Sequence, residues 1–148
     1  MTVRDPVVTE RWALAVLRVS LGVFLLLWGL EKFVIPGTTV RIWSTFYGVS
    51  LGAALVPVVG ALESALALAI TVGLWRRATY GLGLLLHAAS VLASWRQLID
   101  PWGLRSGGSP SHLFLAGVPV LAAFLALYLM RAVDTWTLDE WLLRKRKS

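Results

Sequence analysis

Four stretches of the chain are apolar enough and long enough to share one explanation. They run over Trp12–Val34, Val56–Trp75, Ala78–Ile99 and about Leu113–Ala132. Each is close to the ~20 residues that carry an α-helix across ~30 Å of hydrocarbon. Lipid offers the backbone no hydrogen bonds, so spans of this kind are predicted to be helices. The first run is longer than the ~7–15 apolar residues of a signal sequence and no small-residue cleavage site follows it. It is expected to be a first membrane helix. The expectation is an all-α fold: one domain over residues 1–148, an integral membrane four-helix bundle.

The segments between the runs differ. Arg76-Arg77 sits in a very short turn, which predicts antiparallel neighbours on either side. Asp100–Ser111, DPWGLRSGGSPS, has the Gly, Pro and Ser content of a loop. Ser109 before Pro110 suits an N-cap and first helical position, and Pro119 is placed to kink the fourth helix. Val34–Leu55 is longer and mixes Ile42, Trp43, Phe46, Tyr47 and Leu51 with Ser, Thr and Gly, which predicts a short interfacial helix. Beyond the fourth run, Thr137 and Glu140 have capping-box spacing and Trp136 and Trp141 hydrophobic-staple spacing. A short amphipathic C-terminal helix is expected there, its basic end Arg144–Lys147 lying against anionic lipid.

Composition agrees with the pattern. The chain is 57% hydrophobic and 15% charged, against about 25% charged in a soluble domain. Its mean hydropathy is +0.73. Many of the eight Trp lie near run ends, as in an interfacial aromatic belt. The net charge of +6 sits mostly at run ends and in loops, so nucleic acid is not an expected partner. With no cysteine, disulfides, thiolate redox chemistry and Cys-ligated metal are excluded. Two separated histidines make a poor metal site, so no metal is expected. With the N-terminus inside, nine basic residues (Arg4, Arg11, Arg76, Arg77, Arg131, Arg144, Lys145, Arg146, Lys147) lie on the inner side. Four (Lys32, Arg41, Arg96, Arg105) lie outside. This predicts a multi-pass protein of the bacterial cytoplasmic (inner) membrane with both termini cytoplasmic.

Candidate chemistry lies in the charges within the apolar runs. Arg18, Gly22, Leu25, Gly29 and Lys32 fall on one helix face, whose two glycines allow a neighbour to approach closely. Glu63 is the acid of the second run, and a charge at that depth costs ~2.5–3.5 kcal/mol on insertion scales unless it is paired. Arg18 lies roughly 12 Å away from it in depth at ~1.5 Å per residue, which leaves Arg18, Lys32 and Arg96 all open as its partner. The third run carries a polar stripe, Tyr80, Gly83, His87, Ser90, Ser94 and Gln97, expected to face the interior beside Glu63. Arg18, Lys32, Glu63, His87, Ser90, Ser94 and Arg96 therefore line an expected polar pocket, with Glu63 the candidate proton-exchange group. The competing reading is that these residues only pair helices together.

Two stretches, LRVSLGVFLLLWGLEKFVIPG (17–37) and VVGALESALALAITVGLWRRATYGLG (58–83), carry a resemblance. An arginine early in the first helix (Arg18), Gly29 with Lys32 at its end, Glu63 in the second, and Gly73-Leu74 before Arg76-Arg77 together resemble the DoxX family of small bacterial membrane proteins. The resemblance covers the first three helices. It implies a four-helix bundle and a link to quinone-coupled redox chemistry, since a related branch supplies a subunit of thiosulfate:quinone oxidoreductase. The expected function is that of a quinone-linked oxidoreductase or its membrane subunit. His87, Ser90 and Ser94 would meet a quinone substrate, and no haem or flavin motif is present. Lys32, Arg96 and Arg105 would make the outer mouth attractive to a small anion. A non-catalytic anchor or assembly subunit of a redox complex and a small-solute transporter are the alternatives. Expected partners are membrane lipid and a redox subunit, with a homo-oligomer left open.

Overall fold

A computed structural model describes residues 6–147. The described residues form helices and turns, with no strand among them. Seven α-helices follow in order: α1 (Pro6–Val34), α2 (Pro36–Ile42), α3 (Val56–Val72), α4 (Arg76–Ala93), α5 (Trp95–Ile99), α6 (Gly117–Leu129) and α7 (Leu138–Lys147). Among the described residues, three segments are long and apolar enough to cross a membrane: Val7–Val34, Ala53–Val72 and His112–Leu129. α4 is more polar.

The long helices pack side by side, α1 against α3 and α6, and α4 against the same two. Their shared core is Leu21, Leu25, Ala67, Ile70, Tyr80, Phe124 and Leu127. The outward faces are apolar too: Leu27, Leu62, Leu85 and Leu129 are each more than 60% exposed. Arg18, His87 and Asp134 are meanwhile buried. Buried charge under an apolar exterior is the reverse of what water selects, and an exposed apolar surface of this extent marks contact with lipid or protein.

α1 and α3 approach most closely, and glycine is the reason. A Cβ on Gly29 would stand 3.0 Å from the Ser64 amide nitrogen, and one on Gly60 3.1 Å from the Gly29 carbonyl oxygen. Gly22 lies equally tight against Ala67 and Thr71. The expected face of Arg18, Gly22, Leu25, Gly29 and Lys32 is thus the one that meets α3.

Several boundaries differ from the sequence reading. The third run breaks at Ser94, whose Oγ donates to the Ser90 and Val91 carbonyls at 3.0 and 3.1 Å. Such back-bonding draws carbonyls off the helical ladder, and the chain resumes as the short α5. Residues 109–111 are not helical. A 3₁₀ turn, His112–Ala116, precedes α6 instead, so Pro119 falls in the first turn of α6, where its missing N–H costs nothing. The interfacial segment is α2 continued by a π-helical turn, Trp43–Tyr47, and stopped by left-handed Gly48.

The turn from α3 to α4 closes on Gly73 at φ +71°, with the Gly73 N–H donating to Ile70 and the Leu74 N–H to Ala69. This is a Schellman stop. Trp75 follows at φ +49°, a conformation costing a non-glycine residue about 1–2 kcal/mol. It is held from α7: the Asp139 carboxylate accepts from the Trp75 N–H at 2.8 Å and the Arg76 N–H at 3.0 Å, capping α4 from outside its own chain segment.

Candidate functional site

The polar side chains gather into three groups at different heights along α1, through Arg18, Phe24 and Lys32. Six and eight residues separate these levels, roughly 9 and 12 Å at ~1.5 Å per residue.

The first group lies at the end of the molecule where α1 starts, α3 turns into α4 and the C-terminal segment returns; we call this the tail end. Arg18 Nη1 donates to both Asp134 carboxylate oxygens, at 2.7 and 2.9 Å. Its Nε donates to the Thr71 carbonyl at 3.1 Å and its Nη2 to the Trp136 carbonyl at 2.8 Å. The Tyr80 hydroxyl donates to the same carboxylate at 2.7 Å. Asp134 is fully buried, and a buried carboxylate persists only with this density of donors. Arg76 does for the surrounding backbone what Arg18 does for Asp134. It donates to the carbonyls of Arg131 and Asp134, to Glu140 at 2.6 Å, and pairs with Asp139 at 3.4 Å.

The second group centres on His87. Its ring lies between Phe24 of α1 and Phe124 of α6, centroids 5.5 and 5.6 Å away. Its Nε2 is 3.0 Å from the Gly117 carbonyl oxygen, which with that nitrogen protonated is a hydrogen bond from α4 to the start of α6.

The third group is at the opposite, loop end. Lys32 Nζ lies 2.6 Å from Glu63 Oε2 and donates to the Trp28 carbonyl at 3.0 Å. Both side chains are about nine-tenths buried, 10% and 12% exposed. The Ser90 hydroxyl is exposed and 3.1 Å from the Tyr47 hydroxyl. Arg96 lies over the Trp95 ring, its guanidinium carbon 5.4 Å from the ring centroid. A cleft of about 340 Å³ opens here, lined by Thr45, Phe46, Trp95, Arg96 and Gln97. In the adjacent loop Asp100 accepts from the Ser106 N–H at 2.8 Å and the Arg105 N–H at 3.1 Å. Those amides, Ser106 first, hold its carboxyl below the usual carboxylate range.

No family model, curated protein or solved structure matches this chain.

The expected residues therefore do not converge on one pocket. Of the three partners left open for Glu63, the structure selects Lys32. Arg18 is drawn to the other end by Asp134. His87 is buried with Phe24 and Phe124, Ser94 bonds its own helix, and Ser90 and Arg96 face outward. The polar stripe of the third run is interior at Tyr80, Gly83, His87 and Ser94 but not at Ser90. The sequence pattern does not single out Asp134, which lies just past the fourth run. The signal was a buried arginine on the first helix with no acid at its own level in any other apolar run. Thr137 does cap α7, accepting from the Glu140 N–H at 3.4 Å, but the Glu140 carboxylate turns to Arg76 and leaves the capping box half made. Among the described residues, no three His, Cys, Asp or Glu side chains cluster as a metal site would require.

Proposed function

We propose that the chain is an integral membrane protein in which α1, α3, α4 and α6 span the bilayer, both termini are cytoplasmic, and the protein serves as the membrane anchor and assembly subunit of a quinone-linked redox complex. The observation that carries this reading is that both buried ion pairs close within the chain: Lys32–Glu63 fastens α1 to α3, and Arg18–Asp134 fastens α1 to the segment between α6 and α7. Charges consumed in this way hold helices together in a medium that would otherwise exclude them. A catalytic pocket built from Arg18, Glu63 and His87 would need them at one level, whereas they lie at three. α4 is a fourth span despite its polarity. At 18 residues it is roughly 27 Å long at ~1.5 Å per residue. Its outward face is Leu82, Leu85 and Leu92, all more than half exposed. The redox assignment comes from the resemblance to the DoxX family.

The test begins with thiol labelling in intact cells, which the absence of native cysteine makes clean. Ser106→Cys should react with an impermeant reagent and Ser148→Cys should not. The chain is then purified in mild detergent alone and with the complex it forms in its native membrane. The isolated chain should give no thiosulfate-dependent reduction of a short-chain quinone, and the activity should travel with the assembled complex. Turnover by the isolated chain would overturn the anchor reading in favour of an enzyme.

A further inference from the structure

At the tail end, between the first turns of α1, the last residue of α3 and the segment entering α7, lies a groove of about 490 Å³. Two arginines, Arg11 and Arg144, stand on it, with Val72, Trp136 and Trp141 as its apolar wall. Neither guanidinium group takes part in an ion pair or hydrogen bond among the described residues, unlike those of Arg18 and Arg76 beside them. Glu140 also lines the groove, but its Oε1 is held by Arg76 at 2.6 Å, and Asp139 is committed to the α4 cap and Arg76. Arg76 is shared by both acids, so with Arg11 and Arg144 three guanidinium groups face two carboxylates and the groove keeps a net positive charge. Thr135 adds a second sign: its Oγ1 is buried in this region with no hydrogen-bond partner among the described residues. Buried hydroxyls without partners are uncommon. The wall is rigid, because Trp136 packs edge-on against Trp12 at 4.9 Å and its carbonyl is fixed by Arg18.

We infer that this groove is a discrete binding site for one anionic phospholipid, its phosphate held between Arg11 and Arg144 and its glycerol and acyl chains running along Val72, Trp136 and the exposed face of Trp12. The inference rests on the membrane reading above. Three features select this occupant. Guanidinium groups match phosphate oxygens in fork geometry. Indoles sit at the level of lipid carbonyls. The groove opens beside Val72 and Trp12, apolar residues 45% and 56% exposed, where acyl chains would lie. It goes beyond diffuse attraction of a basic tail to a charged surface, since Lys145, Arg146 and Lys147 line no part of the groove.

The test uses the full chain extracted from membranes in detergent. Extraction that needs no detergent would refute the membrane reading itself, separately from the site. Native mass spectrometry then counts lipid adducts during titration with dioleoylphosphatidylglycerol and, in parallel, dioleoylphosphatidylcholine. One phosphatidylglycerol should bind at least tenfold more tightly than phosphatidylcholine. Each arginine replaced should weaken it roughly fivefold, the equivalent of ~1 kcal/mol per basic residue near a charged head group. Arg11→Gln with Arg144→Gln should thus lose about 25-fold. Arg146→Gln with Lys147→Gln removes the same charge outside the groove and should lose less than threefold. Arg11→Lys keeps the charge and loses the fork, and should fall between, with unchanged melting. Equal losses in the two double variants would overturn the site and leave general electrostatics. Equal binding of both lipids would overturn the phosphate contact. Displacement of the lipid by millimolar inorganic phosphate would overturn lipid as the occupant.

Discussion

The two ends of the molecule solve the same problem in opposite ways. At the tail end two arginines, 58 positions apart in sequence, each gather carbonyls and carboxylates from segments that would otherwise be independent. Arg18 joins α1 to the segment before α7 across 116 residues, and Arg76 joins the α3–α4 turn to the same segment. At the loop end one ion pair joins α1 to α3, and most other side-chain bonds are local: Ser44 to Arg41, Ser94 to Ser90, Asp100 to Arg105 and Ser106. Closing a long loop is entropically costly, so bonds of long sequence separation determine how the helices assemble. Local bonds shape only the connections. The tail end is the part that fixes the bundle, and the loop end is the part free to adapt.

The most direct way to break that comparison is to remove Asp134. In Asp134→Ala, Arg18 keeps its two carbonyl partners but loses its counter-charge, and the Tyr80 hydroxyl loses its acceptor. Removing one member of a buried pair costs about 3–5 kcal/mol, and the melting temperature in detergent should fall accordingly. Arg18→Met with Asp134→Leu removes both charges and should recover most of the loss. A single variant that melts like the parent would show that the tail end is not the clamp.

Glu63→Gln asks whether the loop end is the weaker of the two. Glutamine is nearly isosteric and still accepts a hydrogen bond from Lys32, which also keeps the Trp28 carbonyl. The loss should be about 2 kcal/mol, as for a charged hydrogen bond made neutral. Lys32→Met with Glu63→Leu should restore it. A destabilisation equal to that of Asp134→Ala would erase the distinction between the ends. A stable Glu63→Gln protein with altered quinone binding would instead make Glu63 functional, against the anchor reading.

Between the ends, Gly29→Leu probes the seam that both ion pairs flank. Its side chain would enter the Ser64 backbone, and overpacking costs about 1–3 kcal/mol, partly offset by leucine's better helix propensity of somewhat under 1 kcal/mol. The same change at Gly37, in α2, where a Cβ would meet nothing within 4 Å, should not lower the melting temperature.

What could be read beforehand follows the same division. Helix identity was legible wherever an apolar run met a local stop, as at Val34 before Pro36; the second run was expected to reach Trp75, but the helix stops at Val72 before left-handed Gly73. The α1–α3 seam was legible because Gly22 and Gly29 share a face with Arg18 and Lys32, and that face needs no knowledge of the partner. The break at Ser94 was hidden, because a serine in an apolar run reads equally well as helix interior. Asp134 was hidden for a deeper reason. Its role depends on a chain reversal that returns it to the first helix, and no local spacing encodes a bond spanning 116 residues. The Glu63 partner was open because the long side chains of arginine and lysine can span much of a depth difference, even the roughly 12 Å to Arg18 at ~1.5 Å per residue.

The smallest expected effect sharpens the claim that the loop end is locally held. Asp100 accepts the Ser106 and Arg105 amides, and its carboxyl is held below its ordinary value. The folded value lies under the unfolded one, so its contribution to loop order is fully present above the ordinary carboxylate value of about 4 and is lost as pH falls through the depressed folded value. At neutral pH the loop should be insensitive to pH. In acid, the Ser106 and Arg105 amides should lose hydrogen-exchange protection once intrinsic exchange is corrected for, with no change in melting temperature at neutral pH. Asp100→Asn keeps an acceptor oxygen but cannot titrate, so its protection should be lower and flat across the same range. Protection that persists in acid in the parent chain would mean that other contacts order the loop. The candidates are the Ser111 N–H bonded to the Pro101 carbonyl at 2.8 Å and the close approach of Gly103 to Gly108. Both stay within the loop, and neither reaches the long helices that the two arginines tie together.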